Sequence, residues 1–161
     1  MTAPHAAEQR LADLGLTLPE PPRPVAAFEP YVRLGDLVYT SGQIATAGGA
    51  LVDTGRLGAE VDVETGRAAA RACALNVLAQ LRAAAGSLDA VARLIKLTVF
   101  VASAPEFTDQ PRVADGASEL LIEVLGPAGA HARSAVGVAV LPLGTPVEIE
   151  AVAALVAEGA R

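Results

Sequence analysis

Arg133 and Glu148 are the two residues whose types and spacing point most directly to chemistry. Arg133 stands in an otherwise apolar stretch, residues 132–140, and Glu148 alternates with apolar residues in the next such stretch. Because a guanidinium among apolar side chains is costly unless it is paired, Arg133 needs an anionic partner. In one interpretation, that partner is Glu148 or Glu150 on an adjacent strand. In the other, Arg133 binds the carboxylate of a ligand in a bidentate fork, and Glu148 orients or activates a water molecule. The alternation alone leaves both interpretations open.

Tyr31, Ser41 and Gln43 are polar residues that could support such a site. The residues needed for other common catalytic arrangements are missing from the sequence. Ser41 does not lie in a G-x-S-x-G motif, and His131 is the only histidine beyond the N-terminal region, so we expect no serine triad. Cys73 falls on the apolar stripe of a predicted helix, which is typical of a core residue. One cysteine and two histidines do not make a zinc cluster, and no phosphate-binding or dinucleotide-binding glycine motif occurs.

The charge of the chain disfavours several classes of function. The formal net charge is -6 and the sequence pI is about 4.8, whereas nucleic-acid binders present a basic face that neutralises phosphates. We therefore expect no stable binding of nucleic acid. The N-terminus lacks the apolar core of a signal peptide, and no run of about 18 apolar residues occurs, so we expect no membrane span and a cytoplasmic location.

The hydrophobic periodicity predicts an α+β fold in which two helices cover one face of a sheet. Apolar residues at helical spacing predict a helix over Val63–Ala85, stopped by Gly86, and a second helix that begins at the cap Asp109, has Pro111 in its first turn and ends at Gly126. Alternation predicts strands over residues 34–43, 50–53, 93–101, 132–141 and 147–156, with a hairpin tip at 48–49. A short helix over 8–18 and a proline-rich arm over 19–24 precede them. We assign residues 1–24 to this N-terminal part and 25–158 to one domain.

The two faces of residues 132–140 differ in side-chain size. We expect the face that carries valines to pack on the helices: Ser134, Val136, Val138 and Val140. The other face is nearly flat apart from its arginine: Arg133, Ala135, Gly137 and Ala139. The chain is 52% hydrophobic but only 3% aromatic, and such small residues permit close approach of another backbone. Because two helices cover one side of the sheet only, we expect copies of the chain to meet on the other side.

Several segments resemble the RidA/YjgF family, the reactive intermediate (enamine/imine) deaminases. The resemblance includes Pro-Tyr-Val at 30–32 and Leu-Val-Tyr-Thr-Ser-Gly-Gln-Ile at 37–44, continues through residues 91–101, and covers about residues 25–156. Its most specific part is Ala-Arg-Ser-Ala-Val-Gly-Val-Ala-Val-Leu-Pro at 132–142, followed by Val-Glu-Ile-Glu-Ala at 147–151. Both the order and the spacing of these two blocks match the family.

The resemblance implies a chorismate-mutase-like fold with a mixed β-sheet, and a homotrimer whose three sheets form a central β-barrel with ligand clefts between subunits. It also implies hydrolysis of imines such as 2-iminopropanoate, formed from 2-aminoacrylate, to a 2-keto acid and ammonia, without a metal or an organic cofactor. Arg133 matches the family's arginine that holds the substrate carboxylate, and Glu148 matches the glutamate that positions the attacking water. Ser41 and Tyr31 match a serine and a tyrosine of the family's substrate site.

The second main helix departs from the family pattern. Deaminase members carry an asparagine and a tyrosine there, and the positions of this chain that align with them are Ala114 and Ala117. The resemblance is therefore to a divergent branch, with imine deamination as the implied function. The alternative is a non-catalytic homotrimer that binds small carboxylates. Some family members are described as endoribonucleases, a function that the acidic pI disfavours here.

Overall fold

The computed structural model describes residues 6–157; the first five residues of the predicted N-terminal part and residue 158 of the predicted domain lie outside this range. Within it, the helices are α1 (Ala7–Asp13), α2 (Val63–Ala85) and α3 (Gln110–Leu125). The strands are β1 (Tyr31–Leu34), β2 (Leu37–Thr40), β3 (Gln43–Ile44), β4 (Thr46–Ala47), β5 (Ala50–Leu51), β6 (Val91–Ala102), β7 (Ala132–Val138) and β8 (Val147–Leu155).

The main sheet has the strand order β1-β2-β8-β6-β7, and β3 pairs with β8 further along its length. β6 and β7 are parallel and the other neighbours antiparallel, while β4 and β5 form a separate hairpin. The inner face of the sheet packs on α2 and α3 and includes the buried residues Leu97, Val99, Ile149 and Ala151. The outer face includes Thr98, Phe100, Glu148 and Glu150. The predicted α+β fold, with a mixed sheet and two helices on one face, is confirmed.

The helix α2 begins and ends where its sequence signals place it. Asp62 accepts a hydrogen bond from Thr65 N at 2.8 Å, which satisfies a free amide of the first turn. Gly86 ends the helix with a φ of 82°, a conformation that glycine adopts without strain. The predicted apolar stripe is fully buried: Ala70, Cys73, Ala74, Val77, Leu78 and Leu81. The helix α3 also starts after the predicted Asp109, whose side chain makes no capping hydrogen bond.

Small residues let α2 and α3 approach each other closely. A Cβ built on Gly116 of α3 would overlap the backbone carbonyl of Arg67 on α2. A Cβ on Gly66 of α2 would press against Leu57 and Val113. The scarcity of large side chains in the sequence therefore has a structural use where the two helices meet, because close packing leaves no room for them.

Some strand boundaries differ from the prediction. Residues 34–43 do not form one strand, because Gly35 takes a φ of 60° in a two-residue turn and folds β1 and β2 into a hairpin. The predicted strands over 50–53 and 132–141 are shorter and end at Leu51 and Val138. The first helix is also shorter than predicted and ends at Asp13.

The prediction that the valine face of β7 packs on the helices is wrong. In the register of the parallel pair, Arg133 lies beside Leu97 and Ala135 beside Val99, so the inner face of β7 is the one with small residues and the arginine. Val136 lies on the outer face and is 43% exposed. Alternation separates the two faces of a strand, but it does not tell which of them the helices cover.

The helix α1 is fastened to the domain by charged and polar contacts. Glu8 pairs with Arg82 at the end of α2 and accepts a hydrogen bond from Leu88 N at 2.9 Å. Arg10 Nε donates to Val124 O at 2.8 Å. The hydrogen bond from Arg82, followed by that from Leu88 N, lowers the pKa of Glu8 in spite of partial burial.

Replacing Glu8 by glutamine is expected to lower the stability at neutral pH by about 1 kcal/mol and to have no effect in strong acid. Because folding lowers the pKa of Glu8, its contribution is complete above the pKa of the unfolded chain. It disappears as the pH falls through the lower folded-state pKa. Urea unfolding of both proteins over a range of pH measures this, with Glu20→Gln as an exposed control. A Glu8→Gln deficit that persists in strong acid would contradict the assignment.

Candidate functional site

Glu148 lies on the outer face of β8, beside the loop formed by Ser41 and Gly42 between β2 and β3. A Cβ on Gly42 would overlap the Glu148 carboxylate, so only glycine permits this approach. Glu148 is half-buried, and its carboxylate oxygens are not fully buried atoms without a partner; in residues 6–157 Gln80 Oε1 is the single side-chain atom of that kind. Burial, and to a smaller degree the charge of Glu150, raises the pKa of Glu148 above its usual range. Glu148 is thus placed to accept a proton from water.

Buried amides hold the loop of Ser41 and Gly42 in place. Gln43 Nε2 donates to Ser41 O at 3.1 Å, and Gln80 Nε2, on α2, donates to Gln43 Oε1 at 3.4 Å. The Ser41 hydroxyl itself donates to Glu29 O at 2.6 Å. The hydrogen of this hydroxyl is therefore used within the chain, and its oxygen remains as an acceptor for a ligand.

Tyr31 lies at the β1 edge of the sheet, near the same loop. It is paired with Thr40, the residue before Ser41. The Tyr31 side chain is half-buried and packs against the core, which places it on the inner face, whereas Glu148 is on the outer face. The structure therefore brings Tyr31, Ser41 and Glu148 to one end of the sheet without placing all three on the same side.

Arg133 lies at the opposite edge of the sheet, on the inner face of β7, where it contacts α3. Its Nη1 donates to Asp115 Oδ1 at 2.9 Å and to Ser118 Oγ at 3.1 Å, and its Nη2 donates to Pro111 O at 3.3 Å. The Arg133 side chain is 23% exposed. Within residues 6–157 its Nε has no protein acceptor and is not fully buried. One edge of the guanidinium is fixed by α3, and Nε remains free to bind an anion.

Of the two interpretations that the alternation leaves open, the ion pair of Arg133 with Glu148 or Glu150 does not form within one chain. β6 lies between β7 and β8, so these strands are not adjacent. The two side chains point to opposite faces, and two strand spacings, about 10 Å, separate their strands. The anionic partner of Arg133 inside the chain is Asp115 instead.

Asp115 and Ser118 contact Arg133 in the candidate site, and the sequence interpretation missed them. They are three positions apart on α3, the spacing that places two side chains on one helix face, and this signal could have found them. Ala114 and Ala117, which the family alignment singled out, are fully buried in the core. Ser118 also contacts His131, whose Nε2 lies 3.0 Å from Ser118 Oγ.

Two cavities of the single chain are not lined by Arg133, Asp115, Ser41 or Glu148. One of about 100 Å³ opens on the outer face and is lined in part by Tyr39, Lys96 and Glu150. Another of about 430 Å³ lies at the start of α2, beside Asp62 and Phe107. In the part of the chain that the structure describes, no group of three His, Cys, Asp or Glu side chains is placed to hold a metal ion. None of the helices in that part has the length and apolar character needed to span a bilayer.

Similar proteins share both the sequence and the fold. The chain is 49% identical over 148 residues to "Protein TCP17" of Trypanosoma cruzi, covering 90% of this chain and 91% of that protein. The crystal structure of protein Atu1372 from Agrobacterium tumefaciens, of unknown function, has a TM-score of 0.85 and 45% identity over 93% of this chain and 92% of its own. The structure of E. coli TdcF with bound serine has a TM-score of 0.63 and 30% identity over 85% of this chain and 94% of its own.

A family model matches almost the whole of the described range. The matched residues are 8–155, and the family is described as "YjgF/chorismate mutase-like, putative endoribonuclease". This match includes both β7 with Arg133 and β8 with Glu148. The chain therefore belongs to the YjgF/chorismate mutase-like family.

Proposed function

We propose that this protein hydrolyses reactive enamine and imine intermediates, of the 2-aminoacrylate and 2-iminopropanoate type, to 2-keto acids and ammonia. The observation that carries this proposal is Arg133, which α3 holds on one side while its Nε stays free of protein acceptors within the described residues. A guanidinium prepared in this way suits a ligand carboxylate. The relative TdcF was crystallised with serine, a small molecule with a carboxylate and an amine, and this supports a ligand of that class.

We further propose that Arg133 of one copy acts with Glu148 of a second copy in a homotrimer. Within one chain the two residues lie on opposite faces with β6 between their strands. Arg133 is at the β7 edge, whereas Tyr31 and Ser41 are at the β1 end together with Glu148. If the sheets of neighbouring copies meet edge to edge, these two half-sites face each other across one cleft.

The outer face of the sheet favours such an assembly. Three of its apolar residues are about half exposed in the single chain: Val32 at 56%, Tyr39 at 48% and Val136 at 43%. Apolar side chains gathered on one face of a sheet are typical of a surface that another protein covers. Three copies that turn these faces toward one another would form a central barrel and bury them.

The reaction then follows from the two half-sites. Arg133 binds the carboxylate of 2-iminopropanoate through Nε and Nη2 and fixes the position of the imine carbon. Glu148 accepts a proton from water as the water oxygen bonds to that carbon, and the electron pair of the C=N bond moves to nitrogen. Glu148 returns the proton to nitrogen, which gives a carbinolamine. Glu148 then takes the proton of the carbinolamine hydroxyl and passes it to the amino group, so that the C=O bond forms as the C–N bond breaks, and ammonia and the 2-keto acid are released. Positioning and charge account for most of the gain, because the imine is already reactive.

Replacing Glu150 by glutamine is expected to move the acidic limb of the pH–rate profile to lower pH. Glu148 must be ionised to accept a proton, and the charge of Glu150 contributes to its raised pKa. Removing that charge therefore lowers the pKa of Glu148 and extends activity into more acidic solution. The exposed Glu106→Gln variant is the control, and assembly is checked by light scattering. An acidic limb that stays in place would contradict the assignment of Glu148 as the titrating base.

A second candidate function is the binding of small carboxylates without turnover, for which the observation is again the free Nε of Arg133. The deciding experiment adds purified protein to 2-iminopropanoate generated in solution and follows the formation of ammonia and 2-keto acid. We expect a faster loss of the imine. If several imino acids show no acceleration while 2-keto acids raise the melting temperature, the protein is a carboxylate-binding protein.

A further inference from the structure

The carboxylate of Asp115 is in direct contact with the guanidinium that the proposed function assigns to the ligand. Asp115 Oδ1 lies 2.9 Å from Nη1 of Arg133, and the Asp115 side chain is half-exposed. A ligand bound to the free edge of Arg133 would therefore have an acidic side chain of the protein as its near neighbour. At such distances a second negative charge alters the binding of anions measurably.

Ser118 and His131 keep Arg133 in this arrangement. His131 Nδ1 lies 2.6 Å from Gly129 O, which can only accept, so Nδ1 carries a hydrogen. In the neutral ring Nε2 then accepts from the Ser118 hydroxyl, whose oxygen accepts from Arg133 Nη1. Both hydrogens of Nη1 are thus used by α3, one on Ser118 and one on Asp115. The guanidinium cannot turn this side toward a ligand without losing both contacts.

The positive charges around Asp115 are already neutralised. Arg67 lies 3.9 Å from Asp115 but only 2.7 Å from Glu119, and the hydrogen bond to Glu119 raises the pKa of Arg67. The other arginines of α2 and α3 also have acidic partners: Arg71 with Glu123, Arg82 with Glu8 and Arg112 with Asp109. Arg133 is paired with Asp115 through Nη1 but still offers Nε and Nη2 to one carboxylate of a ligand, and α2 and α3 hold no unpaired cation for a second one.

We propose that Asp115 is a specificity-determining residue that makes the site prefer monocarboxylate ligands over dicarboxylates. The inference rests on the proposed role of Arg133 as the carboxylate anchor. A second ligand carboxylate would meet Asp115, and in the proposed assembly Glu148 of the other copy, while α2 and α3 offer it no unpaired cation. The substrates are then imines with neutral side chains, and imines derived from acidic amino acids are disfavoured.

Titration calorimetry with two keto acids of equal carbon number, 2-oxopentanoate and 2-oxoglutarate, tests this on the full chain. We expect the wild-type protein to bind the monocarboxylate more tightly, and Asp115→Asn to reduce that preference by about threefold to tenfold. Asparagine keeps an oxygen that accepts from Nη1 and removes only the charge. The matched control is Glu123→Gln, two turns further along α3, which should leave the preference unchanged.

The ratio of the two affinities separates specificity from positioning. If Asp115→Asn weakens the binding of both keto acids equally, Asp115 only positions Arg133. The inference is then overturned, whereas the role of Arg133 as the carboxylate anchor is retained. If neither keto acid binds to the wild-type protein or to Asp115→Asn, the anchor role of Arg133 fails as well. Should Asp115→Asn not fold by circular dichroism, Asp115→Ser is measured in its place and judged by the same ratio.

Discussion

Replacing Arg133 by alanine is expected to lower kcat/KM for 2-iminopropanoate by at least about a hundredfold, which corresponds to about 2.7 kcal/mol. The variant loses the only guanidinium edge that the structure offers to a ligand from β7. Its fold should persist, because the remaining carboxylate of Asp115 is half-exposed and can turn to water or to Arg67. Steady-state kinetics with imine generated in solution gives the rate, and circular dichroism checks the fold.

Two further variants show whether the loss is specific to the fork of Arg133. Arg133→Lys keeps the charge but replaces the planar guanidinium fork by a compact ammonium group. The lysine cannot bind Asp115, Ser118 and a ligand at the same time, and we expect an intermediate rate. Arg71→Ala removes a partly exposed arginine whose partner is Glu123, and it should leave the rate unchanged. Full activity of folded Arg133→Ala would show that the substrate carboxylate binds elsewhere.

Replacing Gly42 by alanine is expected to abolish most of the activity but to destabilise the protein by only about 1 kcal/mol, because the atoms in the way belong to the end of the flexible Glu148 side chain. The added methyl group overlaps the Glu148 carboxylate, so either Glu148 or the loop of Ser41 and Gly42 must move. Both movements disturb the position of the proposed base. Urea unfolding at fixed protein concentration measures the stability term, since the stability of an assembly depends on concentration.

A double-mutant cycle separates this clash from a general effect on the loop. In a Glu148→Ala background the obstacle is gone, so the Gly42→Ala change should cost less than about 0.5 kcal/mol. The interaction term of the cycle is then at least about 0.5 kcal/mol and favours the double variant over the sum of the single ones. Additive costs would show that Glu148 is not the obstacle to the added methyl group.

The elements whose signals are local were predictable from the sequence. The helix α2 has a repeating apolar stripe and a terminal Gly86, and the structure reproduces its predicted bounds. The turn at Gly35 was missed because apolar residues continue on both sides of it and hide the break. Local capping and periodicity fix a helix, whereas a hairpin inside an alternating stretch depends on one residue.

The relation between β7 and β8 depends on the path of the chain and was not predictable from alternation. The chain leaves β6, passes through α3 and returns as β7 parallel to β6. β8 then pairs with the other side of β6, so two strands that follow each other in sequence are not neighbours in the sheet. Residue type and spacing predict Arg133 and Glu148 as site candidates. Their separation within one chain follows from the strand order and is not predictable from the alternation.

The contacts of Arg133 depend on how α3 is rotated against the sheet. Sequence alignment directed attention to Ala114 and Ala117, whose side chains face the core. The adjacent Asp115 and Ser118 face the guanidinium. A shift of one residue on a helix turns a position by about 100°, which is enough to exchange a buried position for one in the site.

Mixing two inactive variants tests most directly whether Arg133 and Glu148 act from different copies. Arg133→Ala and Glu148→Ala are co-expressed with different tags, and assemblies that contain both chains are purified by two affinity steps. In mixed assemblies some clefts combine the intact Arg133 of one chain with the intact Glu148 of another. In a trimer that contains both chains, one cleft combines the two intact residues, so about a third of the sites are restored. We predict a clear recovery of imine hydrolysis over both parent variants, and no recovery in verified mixed assemblies would contradict a site shared between copies.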